Sequence, residues 1–230
     1  MSGVVWVAGG AGGIGQACVS ALGVAGRRVV ATDLPEVDIT QPGGCEMGIA
    51  RATADGARLT GAVHAVGMSG RRLGDARVTD CSDEGWDEVL RVNLTSVFRF
   101  LRATLRVIEE GGSIVIIGSA LASTLDRDFL TAAYRVAKAG IIPLVEAAAY
   151  EAAERQIRVN VVAAGLVQTP MAARALADDA IQARMPQLMP LSGRAVTAEE
   201  VADAVTWLLS PGSSMTTGTV VPVDGGWNLR

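Results

Sequence analysis

The first 25 residues contain a strand-like run, a glycine-rich segment and a helical stretch, in that order. A short β-branched run, Val4–Ala8, leads into the glycine-rich segment 8–15, AGGAGGIG, and then into a helical stretch at 16–25. Glycines in such a turn let the backbone approach a bound pyrophosphate, and the N–H groups and positive dipole at the helix N-terminus attract its charge. This feature therefore predicts that the chain begins with a dinucleotide-binding strand–turn–helix unit.

The same alternation of short apolar runs and longer helical stretches continues along the chain. Further strand-like runs lie at 28–32, 62–66, 113–117, 159–163 and 219–223, and helical stretches lie at 83–108, 131–154 and 198–209. Runs that are apolar on both faces are typical of buried parallel strands. The alternation predicts an α/β fold, a doubly wound (Rossmann-type) parallel β-sheet with helices on both faces, in a single domain over residues 1–230.

Composition excludes several classes of protein. The 230 residues are 50% hydrophobic and 19% charged with a net charge of −4, which is typical of a globular protein and not of one that binds nucleic acid or an anionic membrane. The three cysteines form no C-x-x-C pair, and His64 is the only histidine, so we expect no metal site. No apolar run approaches the roughly 18 residues of a membrane span. We expect a soluble cytoplasmic protein with a small-molecule substrate and no nucleic-acid or membrane partner.

One carboxylate indicates which dinucleotide binds. Asp33 follows the second predicted strand, 24 residues beyond Gly9. A carboxylate there accepts hydrogen bonds from the ribose hydroxyls of NAD and repels the extra phosphate of NADP. The glycine-rich segment holds no basic residue, Leu34 follows the acid, and Arg27 and Arg28 should lie at the far end of the strand. The prediction is NAD; the competing view is that Arg27 or Arg28 swings into the pocket and tolerates NADP.

On these and later motifs the chain resembles the short-chain dehydrogenase/reductase family from end to end. The family's G-x-x-x-G-x-G signature falls on Gly9, Gly13 and Gly15. The other matching positions are Asn93 in the fourth helix, Ser119 at the end of the fifth strand, Tyr134 and Lys138 as Tyr-x-x-x-Lys, the segment 158–165 and the closing segment 223–226. The resemblance implies that Asn93, Ser119, Tyr134 and Lys138 are catalytic. We expect cofactor contacts from Gly9, Gly13, Ile14, Gly15, Asp33, Asp38, Ile39, Ala65, Gly67, Tyr134, Lys138, Val167 and Thr169.

The chain also departs from the family pattern. Residues 64–67, HAVG, stand where the family has Asn-Asn-Ala-Gly, Ala8 replaces a Thr, and Ala164 replaces a Pro. Ser119 and Tyr134 are 15 positions apart, which is longer than is common and reshapes the substrate loop. The helix after Asp33 is predicted to be nearly absent. None of these changes touches the four predicted catalytic positions.

The Tyr–Lys pair has the chemistry of a general acid and base. Lys138 is four residues past Tyr134, so both side chains lie on one helix face. A free phenol has a pKa near 10, and a fixed ammonium, like the positive ring of NAD⁺, favours phenolate. Tyr134 would then exchange a proton with the substrate oxygen, which Ser119 orients. The resemblance implies that Asn93 holds a water linking Lys138 to solvent. We assign no catalytic role to His64.

The segments expected to cover the substrate allow two interpretations. Residues 169–194 lie where the family has a mobile lid, and their apolar side chains suit either a hydrophobic ligand or packing onto the body of the protein. Those side chains are Met171, Leu176, Met185, Leu188, Met189 and Leu191. Arg71, Arg72 and Arg77 either meet a substrate carboxylate or are ordinary surface charges. Asp126 and Asp128, in the loop before Tyr134, are expected to be solvated.

The predicted helix 131–154 is apolar on nearly all faces. Such a helix is buried on all sides, either by its own domain or by another subunit. The resemblance implies dimers or tetramers packed through this helix and the preceding one, so we expect a homo-oligomer.

The favoured function is NAD-dependent interconversion of a secondary alcohol and a ketone on a small, mainly apolar substrate, cyclic ones included. The alternatives are a dihydrodiol or dihydrobenzoate-type dehydrogenase and a 3-oxoacyl reductase, the latter disfavoured by Asp33. A non-catalytic NAD-binding regulatory protein is the alternative from another class, and the complete set of four predicted catalytic residues argues against it.

Overall fold

A computed structural model describes residues 3–229; residues 1, 2 and 230, at the ends of the predicted domain, lie outside it. Its strands are β1 Gly3–Ala8, β2 Arg28–Thr32, β3 Arg58–His64, β4 Ser113–Ser119, β5 Arg158–Ala164 and β6 Val220–Val223. They form one sheet in the order β2-β1-β3-β4-β5-β6, and every neighbouring pair is parallel. The parallel α/β sheet predicted from the alternating pattern is confirmed.

Helices connect the strands. They are α1 Gly13–Val24, α2 Gly44–Ala52, α3 Asp83–Leu90, α4 Ser96–Val107, α5 Ala132–Ala152, α6 Ala173–Leu176, α7 Asp179–Ala183, α8 Met185–Leu188 and α9 Ala198–Leu208. Helices α2, α4 and α5 pack on one face of the sheet, and α1 and α9 pack on the other. The interior of the fold is thus two apolar layers separated by the sheet, which is why β1 has fully buried side chains on both faces.

The strand order creates a crevice beside the first strand. The chain leaves β1 toward β2 on one side and returns to β3 on the other, so the connections that follow β1 and β3 diverge. Ligands of open parallel sheets bind at such a switch point, outside the carboxyl ends of the strands. Ala8 and His64 are the paired residues at that end of β1 and β3. The glycine-rich turn begins there.

Two helices begin with a side-chain cap supplied by residues close in sequence. The Thr197 hydroxyl accepts the Glu200 N–H at 3.2 Å, while the Glu200 carboxylate accepts the Thr197 N–H at 2.9 Å, a reciprocal capping box for α9. The Ser82 hydroxyl accepts the Gly85 N–H at 3.0 Å and caps α3.

Between Asp33 and Asp38 the described chain has no helix, as the sequence predicts, and the next helix is α2, which begins at Gly44. Helix α2 lies close to the buried Trp6, since a Cβ at Gly48 would be 2.3 Å from the indole. The predicted helical stretch 83–108 is also confirmed, with a π-helical turn, Arg91–Thr95, between α3 and α4. One expectation about elements is wrong. Ser119 ends the fourth strand and not the fifth, since only β1, β2 and β3 precede it in the described chain.

Within residues 3–229 no helix is long and apolar enough to span a membrane. The same residues hold no group of three or more His, Cys, Asp or Glu side chains placed to ligate a metal ion.

Candidate active site

The glycine-rich turn is shaped by close backbone contacts. Gly9 has φ +83°, and a Cβ at Gly15 would lie 1.9 Å from the Gly9 carbonyl oxygen, so the turn closes only with glycine there. The Gly9 N–H donates to the Thr32 carbonyl at 2.9 Å, which ties the turn to β2. Helix α1 begins just after Gly12, whose position carries no side-chain cap. The N-terminal N–H groups of α1 are therefore available to an anion.

A cavity of about 350 Å³ adjoins this turn. It is lined by Gly9, Gly12, Asp33, Asp38, Ile39, Ala65 and Gly67, among others. The Asp33 carboxylate accepts the N–H of Ala11 and of Leu34, each at 2.8 Å, and is thereby fixed at the cavity wall. The Asp38 carboxylate is held in the same way by the Thr40 N–H at 2.9 Å. The shape and these fixed carboxylates fit the adenosine half of a dinucleotide.

Arg27 and Arg28 do not reach this cavity. Arg28 pairs with Val4 at the first residues of the parallel strands, the end opposite the glycine turn, and its guanidinium lies 2.5 Å from Asp55. Arg27 donates to the Leu209 carbonyl at 3.1 Å. The competing view that one of them swings toward the ribose therefore has no support in the structure.

Three of the four predicted catalytic side chains meet in a second cavity, of about 320 Å³. Ser119 comes from the end of β4, and Tyr134 and Lys138 come from successive turns of α5. The Ser119 hydroxyl is hydrogen-bonded to the Tyr134 side chain and also accepts the Leu121 N–H at 3.2 Å. The Lys138 ammonium donates to the Ile117 carbonyl at 3.0 Å. A proton-exchanging phenol and a hydroxyl donor thus face the same space.

The predicted cofactor contacts divide between the two cavities and the turn. The second cavity is lined by Ile14, Ala65, Gly67, Val167 and Thr169 as well as by Tyr134 and Lys138. A Cβ at Gly13 would come within 2.6 Å of the Thr169 side chain, so the turn and the 169–194 segment touch. Gly15 is buried beneath the turn and lines neither cavity. Its contribution is to the shape of the turn.

The ionisation of the Tyr–Lys pair differs from expectation. Burial raises the pKa of Tyr134, and the hydrogen bond with Ser119 offsets only part of this. The expected net lowering of the Tyr134 pKa is therefore wrong for the chain alone, because burial dominates. The Lys138 ammonium lies 5.7 Å from the centre of the Tyr134 ring. Burial also lowers the pKa of Lys138 to about 8. Both shifts have the same cause, since a desolvated site disfavours each charged form.

Lys138 is the only lysine in the sequence, which makes its titration directly measurable. Its Cε resonance is expected to titrate near a pKa of about 8 in the folded protein, against about 10.4 when unfolded. Between those values the unfolded state binds more protons, so stability rises with pH. Below them both states are charged, and the buried ammonium destabilises the fold. Lys138→Met should therefore raise the free energy of unfolding at pH 7 by about 1–3 kcal/mol and abolish that rise. Chemical denaturation from pH 7 to 10 tests this, and an unchanged slope in the variant contradicts it.

Asn93 lies in the π-helical turn and holds the loop after β3. Its amide donates to the carbonyls of Val89 at 3.1 Å and Met68 at 3.0 Å, and its oxygen accepts the Met68 N–H at 3.1 Å. A Cβ at Gly67 would lie 2.9 Å from the Asn93 oxygen and 3.6 Å from the Lys138 nitrogen, so only glycine lets these groups approach. π-Turns are frequent at functional sites. The water expected between Asn93 and Lys138 stays a prediction.

Asp75, which no sequence pattern singles out, positions the helix that carries Tyr134. Its carboxylate, 2% exposed, accepts the N–H groups of Ala133 and Tyr134, both at 3.0 Å. Thr131, at the usual capping position of α5, makes no side-chain cap. Asp75 therefore replaces the local cap from 58 and 59 positions away, a distance at which no sequence pattern identifies the pair.

Asp126 and Asp128 are not the solvated charges expected. The Arg184 guanidinium binds Asp126 through two hydrogen bonds, at 2.7 and 3.2 Å, and also pairs with Asp128. The reason is that the 169–194 segment folds over the loop before Tyr134 and encloses its carboxylates. Met185, Leu188 and Met189 are buried in the same packing, and Met171 is the one methionine of this segment that lines the cavity.

His64 is fully buried and bonded within the protein. Its Nε2 lies 2.9 Å from the Ser96 hydroxyl, and its ring meets Phe100 edge-on at 5.2 Å. Burial, aided by the positive charge of Lys138, lowers the pKa of His64 to about 3, so the ring is neutral at physiological pH.

Comparison with known proteins covers nearly the whole chain. A family model described as enoyl-(acyl carrier protein) reductase matches residues 9–228. The chain is 34% identical to the short-chain dehydrogenase/reductase ABA4 of Pyricularia oryzae, over 97% of this chain and 91% of that protein. It belongs to the short-chain dehydrogenase/reductase family.

Other members of this oxidoreductase family are comparably similar. The 3-oxoacyl-[acyl-carrier-protein] reductase FabG of Escherichia coli is 31% identical over 97% of this chain and 96% of its own. The crystal structure of gox2181 superposes with a TM-score of 0.90 at 30% identity, covering 100% of this chain and 96% of that one. Levodione reductase gives a TM-score of 0.85 at 25% identity, covering 99% and 98%. The short-chain dehydrogenase/reductase fold of this chain is thus established.

Proposed function

We propose that the protein is an NAD(H)-dependent oxidoreductase that interconverts a secondary alcohol and a ketone on a small, mainly apolar substrate, cyclic ones included. The observation that carries this proposal is that Ser119, Tyr134 and Lys138 line one cavity, and that the same lining includes the predicted cofactor contacts Val167 and Thr169. The apolar part of that lining includes Leu121, Phe129 and Trp227, which suits an apolar substrate body.

Each polar side chain has a distinct task in this reaction. When bound, the nicotinamide ring supplies or accepts the hydride. The Tyr134 phenol donates its proton to the carbonyl oxygen in reduction and removes the alcohol proton in oxidation. The Ser119 hydroxyl, already directed at Tyr134, holds the same substrate oxygen in place. Lys138 places a buried positive charge where phenolate develops, and this stabilises the ionised form.

NAD is proposed over NADP because of the charges at the ribose end. Asp33 is fixed by two backbone N–H groups and keeps acceptor capacity on both oxygens for ribose hydroxyls. Arg91 also lines that cavity, but the Glu88 carboxylate binds it with two hydrogen bonds of 2.6 Å. A basic partner for a 2′-phosphate is thus lacking among the described residues beside Asp33.

Reduction of 3-oxoacyl groups is the second candidate, and the similarity to FabG favours it. Asp33 weighs against it where the reductant is NADPH. Among related chemistries, a dihydrodiol-type dehydrogenase would use the same four residues. Three unpaired cysteines, Cys18, Cys45 and Cys81, fit the reducing cytoplasm as the compartment.

A substrate panel with each cofactor tests the proposal. Cyclic and linear secondary alcohols, their ketones, dihydrodiols and 3-oxoacyl thioesters are assayed with NAD(H) and NADP(H) at the reduced-nicotinamide absorbance band. Turnover of alcohols or ketones with NAD(H) supports it. Turnover confined to 3-oxoacyl thioesters supports the second candidate. NADH binding without turnover of any compound supports a regulatory protein instead.

We also propose a homo-oligomer packed through α4 and α5. The described chain leaves apolar side chains on these helices in solvent: Phe98 is 45% exposed, Val136 47% and Tyr150 86%. Helix α5 is therefore not covered by its own domain on every side. Ala148, however, is 6% exposed and packs in the interior beneath α5, so it is unsuited to testing an interface.

Light scattering at micromolar concentration should show dimers or tetramers. Ala147→Glu, on the exposed face of α5, should shift the protein toward monomer by placing an unpaired charge in the interface. Val24→Glu is the control, because that residue is also apolar and exposed but lies at the end of α1, outside the proposed interface. A monomeric wild type contradicts the proposal.

A further inference from the structure

We propose that Arg71 and Arg174 form an anion-binding subsite at the mouth of the substrate cavity, so that the favoured substrate carries a carboxylate as well as the reacting oxygen. This inference rests on the proposed function and names its substrate class: apolar hydroxy acids and oxo acids.

Two guanidinium groups from distant parts of the chain converge on one backbone oxygen. Arg71, in the short 3₁₀ helix after β3, donates to the Asp128 carbonyl at 3.2 Å. Arg174, in α6, donates to the same carbonyl at 3.4 Å. Both arginines line the cavity that holds Ser119 and Tyr134. Two like charges are therefore held close together beside the predicted reacting groups.

The carboxylates around this pair are engaged elsewhere. Arg184 binds Asp126 and Asp128, and the Asp75 carboxylate accepts two N–H groups of α5. Arg174 has Asp178 at 3.9 Å, a distant contact at the protein surface. Within the described chain Arg71 has no ion pair. Burial and the charge of Arg174 lower the pKa of Arg71 and outweigh the opposing effect of the Asp75 carboxylate, so the protein compensates the positive charge of the pair only in part.

The geometry of the donors suits a carboxylate. A guanidinium has five N–H donors, and the contact with the Asp128 carbonyl uses one on each arginine, so both retain donors for two carboxylate oxygens. The apolar side chains of Leu121, Phe129 and Met171 share the cavity with the arginines and with Tyr134. A fitting substrate therefore has an apolar body with its reacting oxygen at Ser119 and Tyr134 and its carboxylate at Arg71 and Arg174.

The test compares an acid with its neutral ester. A cyclohexanone carboxylic acid and its methyl ester are assayed with NADH on the wild type, Arg71→Leu, Arg174→Leu and the control Arg77→Leu. Arg77 is exposed on the same loop and does not line the cavity. The wild type should prefer the acid in kcat/KM by about 10–100-fold, the range of a charge-assisted hydrogen bond. That ratio should fall at least about tenfold in either cavity variant and stay unchanged in Arg77→Leu.

Calorimetric titration of the same acid and ester, without turnover, separates this inference from the proposed function. If no ketone is reduced but the acid still binds more tightly than the ester, and does so through Arg71 and Arg174, the subsite stands and the proposed reaction fails. An equal affinity for acid and ester in the wild type overturns the subsite. A loss of NADH affinity in the arginine variants, with no change in the acid-to-ester ratio, also overturns it, because the arginines then serve the cofactor.

Discussion

Tyr134→Phe is expected to lower kcat by about 10²–10⁴-fold, the usual range for removing a general acid or base. The substitution deletes the one atom that exchanges a proton and leaves the ring in place. NADH affinity should therefore change little, and the loss should appear in kcat and kcat/KM together, as for an interaction made in the transition state. Steady-state kinetics and NADH fluorescence titration measure both quantities.

The chain supplies a matched control, since Tyr150 is its only other tyrosine. Tyr150 is 86% exposed near the end of α5, so Tyr150→Phe makes the same change on the same helix, distant from the cavity. Its kcat should equal that of the wild type. A Tyr134→Phe variant with near wild-type kcat would exclude the proton-transfer role.

Because the pKa of Tyr134 is raised, oxidation and reduction should depend on pH in opposite ways. In the chain alone the phenol is protonated at neutral pH, which is the form that donates a proton in reduction. Oxidation requires phenolate, so its kcat/KM should rise with pH, whereas reduction should fall as the phenol ionises. If the residual activity of Tyr134→Phe no longer shows these opposite pH dependences of kcat/KM, the dependences arise from the phenol.

The second large expected effect is a preference for NAD over NADP of at least about 100-fold in kcat/KM. Asp33 can accept two charge-assisted hydrogen bonds from the ribose, and each 1.4 kcal/mol of binding free energy corresponds to about tenfold. Asp33 is already oriented by the Ala11 and Leu34 N–H groups, so no reorganisation precedes ribose binding. A 2′-phosphate would meet the same carboxylate as a like charge.

The double variant Asp33→Ser, Leu34→Arg should narrow or reverse this preference, because it removes the repulsion and adds a phosphate partner. Glu36→Gln is the control: it removes a nearby carboxylate that pairs with Arg51 and does not line the cavity. Kinetics with both cofactors measure the ratio in each protein. Equal efficiency with NAD and NADP in the wild type would refute the role assigned to Asp33.

Local patterns in the sequence were sufficient for much of the fold and part of the site. The strand–glycine–helix start, the alternation of strands and helices and the caps at Ser82 and Thr197 depend on residues within a few positions of one another. The spacing of Tyr134 and Lys138 places them on one helix face for the same reason. These features follow from backbone sterics and helix or strand periodicity, which the neighbouring residues determine.

Tertiary contacts decided the features that need two distant segments to meet. The close packing of α2 on Trp6 requires glycine at position 48, and Asp75 caps α5 by binding residues that are 58 and 59 positions further along the chain. The pairing of Arg184 with Asp126 spans 58 positions, and the convergence of Arg71 and Arg174 requires the Asp128 carbonyl between them.

The sequence by itself therefore determined the sheet, the glycine-rich turn and the identity of the predicted proton-exchanging residues. Only the tertiary structure decided how those residues ionise and which charges line the cavity beside them. The physical reason is that a pKa and a binding subsite depend on desolvation and on charges close in space. Burial raises the pKa of Tyr134 and lowers that of Lys138, and both shifts arise from packing that no run of neighbouring residues encodes.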